Sequence, residues 1–150
     1  MNELAIVKDN IEEDKQYIVF NLNKEYYGID IADINCIIMV PKITPIPKMP
    51  EYFAGVISLR GHVIPVINLR KRMNYADEEI TKNTRIIVLN LENGEMMGIM
   101  VDDVREVMNI SNSEIEEPSP YIKKKDSFIS GVGKKKDNLI SIFEVDLLTA

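Results

Sequence analysis

The chain repeats itself, and the repeat limits the folds open to it. Ile18-Val19-Phe20-Asn21-Leu22 recurs as Ile87-Val88-Leu89-Asn90-Leu91, and Tyr27-Gly28-Ile29-Asp30-Ile31-Ala32-Asp33-Ile34 recurs as Met97-Gly98-Ile99-Met100-Val101-Asp102-Asp103-Val104. One extra residue at the Asn93-Gly94 turn accounts for the change of spacing. Further along, Gly55-Val56 matches Gly131-Val132, and Val63-Ile64-Pro65-Val66-Ile67 matches Leu139-Ile140-Ser141-Ile142-Phe143 at the same offset. These runs are short and rich in Ile, Val and Leu, so each copy reads as a set of strands. A period this long is not a solenoid of short repeats. It fits two similar small barrels or sandwiches packed on each other, a mainly β chain with short helical segments. The copies cover about 16–73 and 84–148 of one domain spanning 1–150, with a polar, flexible segment at 1–14.

Local signals fill in the copies. A strand from Gln16 to Leu22 turns at Asn23-Lys24 into a second, Glu25 to Ile29. The following Asp30-Ile31-Ala32-Asp33-Ile34 reads as a helical turn capped by Asp30, before a strand through Ile37, Ile38 and Met39. Four of the chain's seven prolines fall between Pro41 and Pro50, which excludes a central strand or a helix interior and makes this an extended connector. Leu69 to Met73 has helical composition, Tyr75 to Lys82 is a polar loop between the copies, and Asn109 to Asp126, with Pro118 and Pro120, is the counterpart of the proline connector. Glu144 to Leu148 ends the chain in a short helix or turn.

Composition narrows the function classes. A chain of 150 residues buries roughly 68–70% of its unfolded surface, enough for modest cores. No apolar run is long enough to cross a bilayer, and the acidic Met1-Asn2-Glu3-Leu4 start lacks the basic and apolar regions of a signal peptide. Together with the single cysteine, this places the chain in the cytoplasm. A net charge of −6 argues against nucleic-acid binding. Lys123-Lys124-Lys125 and Lys134-Lys135-Lys136 are either solvated loops or a patch that steers an acidic protein partner. Catalysis finds little support. His62 is the only histidine and has no cysteine beside it, so neither a zinc site nor a Cys-His pair can form. Asp102-Asp103 matches Ala32-Asp33 of the first copy and reads as capping rather than acid–base chemistry. No phosphate loop is present, and no metal or cofactor is expected.

The segment Gly55 to Arg70 reads GVISLRGHVIPVINLR. Two apolar β runs meet at a Leu-Arg-Gly corner, where Gly61 gives the freedom a tight reversal needs. Arg60 is thereby held at a hairpin tip. This stretch resembles the signature of the CheW family of bacterial chemotaxis coupling proteins, which is close to Asn-Leu-Arg-Gly, an apolar run with proline, and Asp-Leu. Here Ser58 stands for Asn and Asn68 for Asp, and both keep a short hydrogen-bonding side chain. The resemblance extends from about Gln16 to Leu148 and includes the Tyr-Gly-Ile-Asp-Ile type motif, the Thr44-Pro45-Ile46-Pro47 connector and the Val101-Asp102 stretch.

The resemblance implies a fold of two SH3-like five-stranded β-barrel subdomains. It also implies a non-catalytic scaffold that couples the cytoplasmic tips of chemoreceptors to the histidine kinase CheA, in receptor arrays at the membrane but without inserting into it. Carried onto this chain, the receptor-binding positions are Ile34, Cys36, Ile37 and Val107, with core packing as the alternative for the three aliphatic residues. The kinase-binding positions are Gly55, Leu59, Arg60 and Gly61, where the two glycines also have a purely conformational explanation. Arg60 stands out, because a turn gains little from an arginine and arginine is enriched in interface hot spots. Other readings are a coupling protein of a related motility pathway, a fragment of the kinase's C-terminal domain, or a small β-barrel enzyme or ligand carrier, which would need a deep pocket with convergent polar groups.

Overall fold

The computed structural model describes residues 14–120, 128–135 and 137–149. Residues 1–13 of the expected flexible segment, Lys123-Lys124-Lys125 and Lys136 lie outside them. The first copy supplies β1 (Asp14–Leu22), β2 (Glu25–Asp30), β3 (Ile34–Met39), β4 (Phe53–Leu59), β5 (His62–Asn68) and the one-turn helix α1 (Leu69–Arg72). The second supplies β6 (Arg85–Asn90), β7 (Met96–Val101), β8 (Asp103–Ser111), β9 (Ile115–Glu116), β10 (Ile129–Lys135) and β11 (Asn138–Phe143). Short 3-10 turns occupy Ile31–Asp33, Asn112–Glu114 and Val145–Thr149.

Neither copy forms a sheet by itself. The first sheet runs β8-β1-β2-β11-β10-β9 and the second β3-β6-β7-β5-β4. Each combines the first two strands of one copy with the later strands of the other. The chain changes sheet between β2 and β3, through the expected turn in which the Asp30 carboxylate accepts the Ala32 N–H at 2.9 Å. It changes back between β7 and β8. The exchange is closed by parallel pairing of β11 with β2 and of β5 with β7. The shared glycines sit at these seams, Gly28 opposite Ile142 and Gly98 opposite Val66. A Cβ on Gly98 would lie 2.8 Å from Ile86 Cγ2 and 3.2 Å from Val66 Cγ2, so close approach accounts for this part of the repeat.

The exchange also explains why the most similar pentapeptides each open on three apolar residues without alternation. On β1, Tyr17 and Val19 join Ile110, Ile140 and Ile142 inside the first sheet, while Ile18, Phe20 and Leu22 face the opposite way. On β6, Ile86 and Val88 join Ile57, Ile64 and Val66 inside the second sheet, while Ile87 and Leu89 face out of it. The outward sets of both strands meet in one core between the sheets, where Phe20, Tyr27 and Phe143 stack with centroids 5.2 to 6.0 Å apart. A strand buried on both faces reads as a continuous apolar run.

The proline stretch is a connector, bridged to β4 only at Thr44–Val56. Its counterpart is more ordered than expected. Ile110 is fully buried and extends β8 to Ser111, whose N–H and hydroxyl both donate to Glu114 at 3.0 and 3.1 Å. No described helix is long and apolar enough to cross a membrane.

Candidate interaction surfaces

Strands β4 and β5 pair up to Leu59–His62, leaving Arg60-Gly61 as a two-residue loop. Both loop residues have positive φ, 50° and 83°, as in the type I′ turns that match strand twist. An asparagine or glycine would suit the first position better, so the turn itself gives no reason for an arginine. Arg60 is exposed and, among the described residues, has no hydrogen bond or ion pair. The other four arginines are all engaged. Arg70 pairs with Asp102, Arg85 donates to the Lys82 and Thr84 carbonyls, and Arg105 pairs with Asp103. Arg72 lies 4.8 Å from the Tyr52 ring centroid and 4.4 Å from that of Phe128.

Beside the turn, Asn35, Leu59, Arg60, His62 and Met96 line an open hollow of about 160 Å³. His62 is exposed there as the first residue of β5. Leu59 is half-buried against the second sheet's interior. Gly55 is buried at an irregularity in the β4–β5 pairing, with φ 144°. A Cβ there would collide with the Thr44 carbonyl, so Gly55 shapes the strand rather than presenting a surface.

Strands β3 and β8 are the crossover strands and the edges of their sheets. Ile37 and Val107 hold the same position in the two copies, and both are exposed, 36% and 48%. Ile34 and Cys36 alternate with Ile37 and turn inward, Ile34 toward the core between the sheets and Cys36 toward the second sheet's interior. The receptor-binding positions expected from sequence therefore divide into two surface and two packing residues. Met39, 70% exposed and two residues beyond Ile37, continues the surface pair, and the period of two along β3 is the signal that marks it.

The most connected polar group is one that the sequence reading left out. Arg70 is 7% exposed, and its Nε and Nη2 donate to the two oxygens of Asp102 at 2.8 and 2.7 Å. Its Nη1 donates to the Ala76 carbonyl at 2.8 Å, and Asp102 also accepts the Asn23 N–H at 2.9 Å. The hydrogen bond to Asp102 holds the guanidinium more firmly protonated than usual. The capping role expected for Asp102 is thus corrected. Strand β7 passes directly into β8 with no helical turn to cap, which leaves the carboxylate free to bind Arg70.

Asn68, which stands where the family signature has aspartate, caps α1 by accepting the Lys71 N–H at 3.2 Å. It also donates from its amide to Asp77 at 3.0 Å, a bond an ionised aspartate could not make. That bond is the main reason the Asp77 carboxyl lies below its usual range. Of the lysine clusters, Lys134 and Lys135 end β10, and Lys135 pairs with Glu114 at 3.2 Å.

A family model described as the CheW-like domain matches residues 16–150. The chemotaxis protein CheW of Bacillus subtilis (strain 168) is 36% identical over 137 residues, covering 91% of this chain and 87% of that protein. The corresponding protein of Helicobacter pylori is 32% identical over 139 residues, covering 93% and 83%. The crystal structure of the scaffolding protein TtCheW from Thermoanaerobacter tengcongensis matches with a TM-score of 0.84 and 38% identity, over 89% of this chain and 91% of that one. The two sheets correspond to the two SH3-like subdomains of this architecture. The chain belongs to the CheW family, and its function is that of a coupling adaptor in chemotaxis signalling.

Proposed function

We propose that this adaptor joins the cytoplasmic tip of a chemoreceptor to the regulatory domain of the kinase CheA, acting without catalysis in the cytoplasm and recruited to receptor arrays. The kinase meets the β4–β5 hairpin. What supports this is Arg60, a guanidinium with no partner among the described residues, displayed by a two-residue turn that would favour another residue. Such a group fits a partner carboxylate, with Gly61 closing the turn, Leu59 as adjoining apolar surface, and Gly55 acting through strand shape.

The receptor's helical tip lies along the edge-strand residues Ile37 and Val107. An apolar helix face fits exposed aliphatic side chains on edge strands, and on β3 the neighbouring Ile34 and Cys36 pack inward. Arg60→Ala tests the reading in arrays reconstituted from receptor fragment, kinase and this chain. The variant should melt with the wild type and lower kinase activation by about ten-fold, the scale of an interface hot spot. Activation equal to wild type would remove Arg60 from the kinase surface.

A further inference from the structure

The internal repeat gives the two sheets two equivalent junctions, and they are built from different charges. At the first, the Asn23 N–H in the β1–β2 turn donates to Asp102 at the β7–β8 crossing, and Arg70 grips the same carboxylate with two hydrogen bonds. At the second, Glu92 is the counterpart of Asn23, and its N–H donates at 3.0 Å to Asp146, which stands where Arg70 stands in the first copy. Ala32 holds the place of Asp102. Burial, and then Asp30, Glu144 and Asp146, raise the pKa of Asp33 there, and Lys15 opposes them. An ion pair holds the first junction, and among the described residues three carboxylates act on Asp33 at the second.

The Arg70 junction touches both sheets and the strands that lead to the Arg60 hairpin and to Val107. Helix α1 continues β5, whose far end is the Arg60 hairpin in the second sheet. Asp102 stands between β7 of the second sheet, which pairs in parallel with β5, and β8, which carries Val107 in the first sheet, so the step across the sheets is its bond to Asn23. Asn23 lies in a turn of the first sheet, and Ala76 lies in the segment between the copies. The core between the sheets is apolar, and apolar contact has no preferred direction. A two-pronged pair between the buried Arg70 and the half-buried Asp102 does have one.

We propose that the Arg70–Asp102 pair is the positioning contact that fixes the sheets, and with them the Arg60 hairpin and the Val107 edge, in one relation. Its consequence for signalling rests on the coupling function proposed above, but its geometric content does not. The contact matters when kinase and receptor are held together, not when either binds alone.

Arg70→Lys keeps the charge and loses the fork; Asp102→Asn keeps an acceptor for Asn23 and loses the charge. Nitroxide labels introduced with Val63→Cys and Leu139→Cys, both at exposed positions and one in each sheet, report the inter-sheet distance by double electron–electron resonance in a Cys36→Ser background. In either variant that melts cooperatively, the distance distribution should broaden. Affinities for the receptor fragment alone and the kinase regulatory domain alone should stay within about three-fold, while kinase activation in the three-component array falls by about ten-fold.

Unchanged distributions in both variants would overturn the proposal, as would loss of a single-partner affinity in step with activation. Broadened distributions with full activation would overturn its signalling half. If both variants fail to melt cooperatively, the pair holds the fold itself, and a positioning role is overturned. If the parent chain binds neither partner, the coupling reading fails, and the distance measurement still decides the geometric claim.

Discussion

Ile34→Asp and Ile37→Asp place the same charge three residues apart on β3, yet the structure assigns them different outcomes. Ile34 packs on the core between the sheets, while Ile37 faces water. Full burial of an isoleucine contributes about 1.5–3 kcal/mol, so truncating the half-buried Ile34 costs about 1 kcal/mol. Placing a carboxylate against that core adds about 2–3 kcal/mol more, whether paid as desolvation or as a raised pKa. The sum, about 3–4 kcal/mol, is a large part of a total stability of about 5–15 kcal/mol. At about 2–4 °C per kcal/mol for a chain of this size, the melting temperature of Ile34→Asp should fall by about 6–16 °C.

Ile37→Asp should melt within about 3 °C of wild type, since exposed substitutions usually change stability by about 0.5 kcal/mol. It should nonetheless weaken receptor-fragment binding by at least about ten-fold, by setting a charge against an apolar helix face. Circular dichroism melts and titration calorimetry on the same samples separate the two effects. An Ile34→Asp variant that melts like wild type and loses receptor binding would refute the assignment of Ile34 to packing. Wild-type receptor affinity in Ile37→Asp would refute the edge-strand docking face.

Other perturbations test the architecture and its electrostatics. Gly98→Ala brings a methyl group to 2.8 Å from Ile86 Cγ2, against a nearest approach of 3.1 Å for Gly28→Ala, and should cost about 1–3 kcal/mol. Gly28→Ala should cost less, and chemical denaturation giving the reverse order would contradict the seam packing. Burial first, and then Asp30, Glu144 and Asp146, raise the pKa of Asp33 above its ordinary value of 3.8, so the folded state disfavours its charge. The penalty is absent where Asp33 is protonated in both folded and unfolded chains, grows as pH rises from 3.8 through the raised value, and is complete above it. Asp33→Asn should therefore raise the melting temperature at pH 7 and lose that advantage below about pH 4. An equal gain at both pH values would point to a cause other than charge.

The strands were legible from the sequence because their signals are local. Asn23-Lys24 and Arg60-Gly61 mark two-residue turns, and Asp30 marks a cap; each appears where its chemistry places it. The pairing of β2 with β11 and of β5 with β7 was not legible, because two similar copies can pair internally or exchange strands with the same local pattern. Its one trace was the unbroken apolar character of Tyr17 to Phe20 and Ile86 to Leu89, which marks burial on both faces. Of the expected kinase-facing residues, Arg60 is the one whose exposure on a turn the sequence made legible. Ile34 and Ile37 look alike in sequence, and the period along β3 separates them only once the inward face is known. Arg70 was hidden because it follows an apolar strand in a run with Lys71 and Arg72, where a charge reads as solvated. Its partner Asp102 lies in the other copy.

The most direct test of the coupling function is co-sedimentation of this chain with a receptor cytoplasmic fragment and, separately, with the regulatory domain of the CheA kinase from the same organism. Sedimentation with both, at concentrations where a folded control protein stays in solution, is the predicted result. A folded sample that sediments with neither active partner would contradict the account.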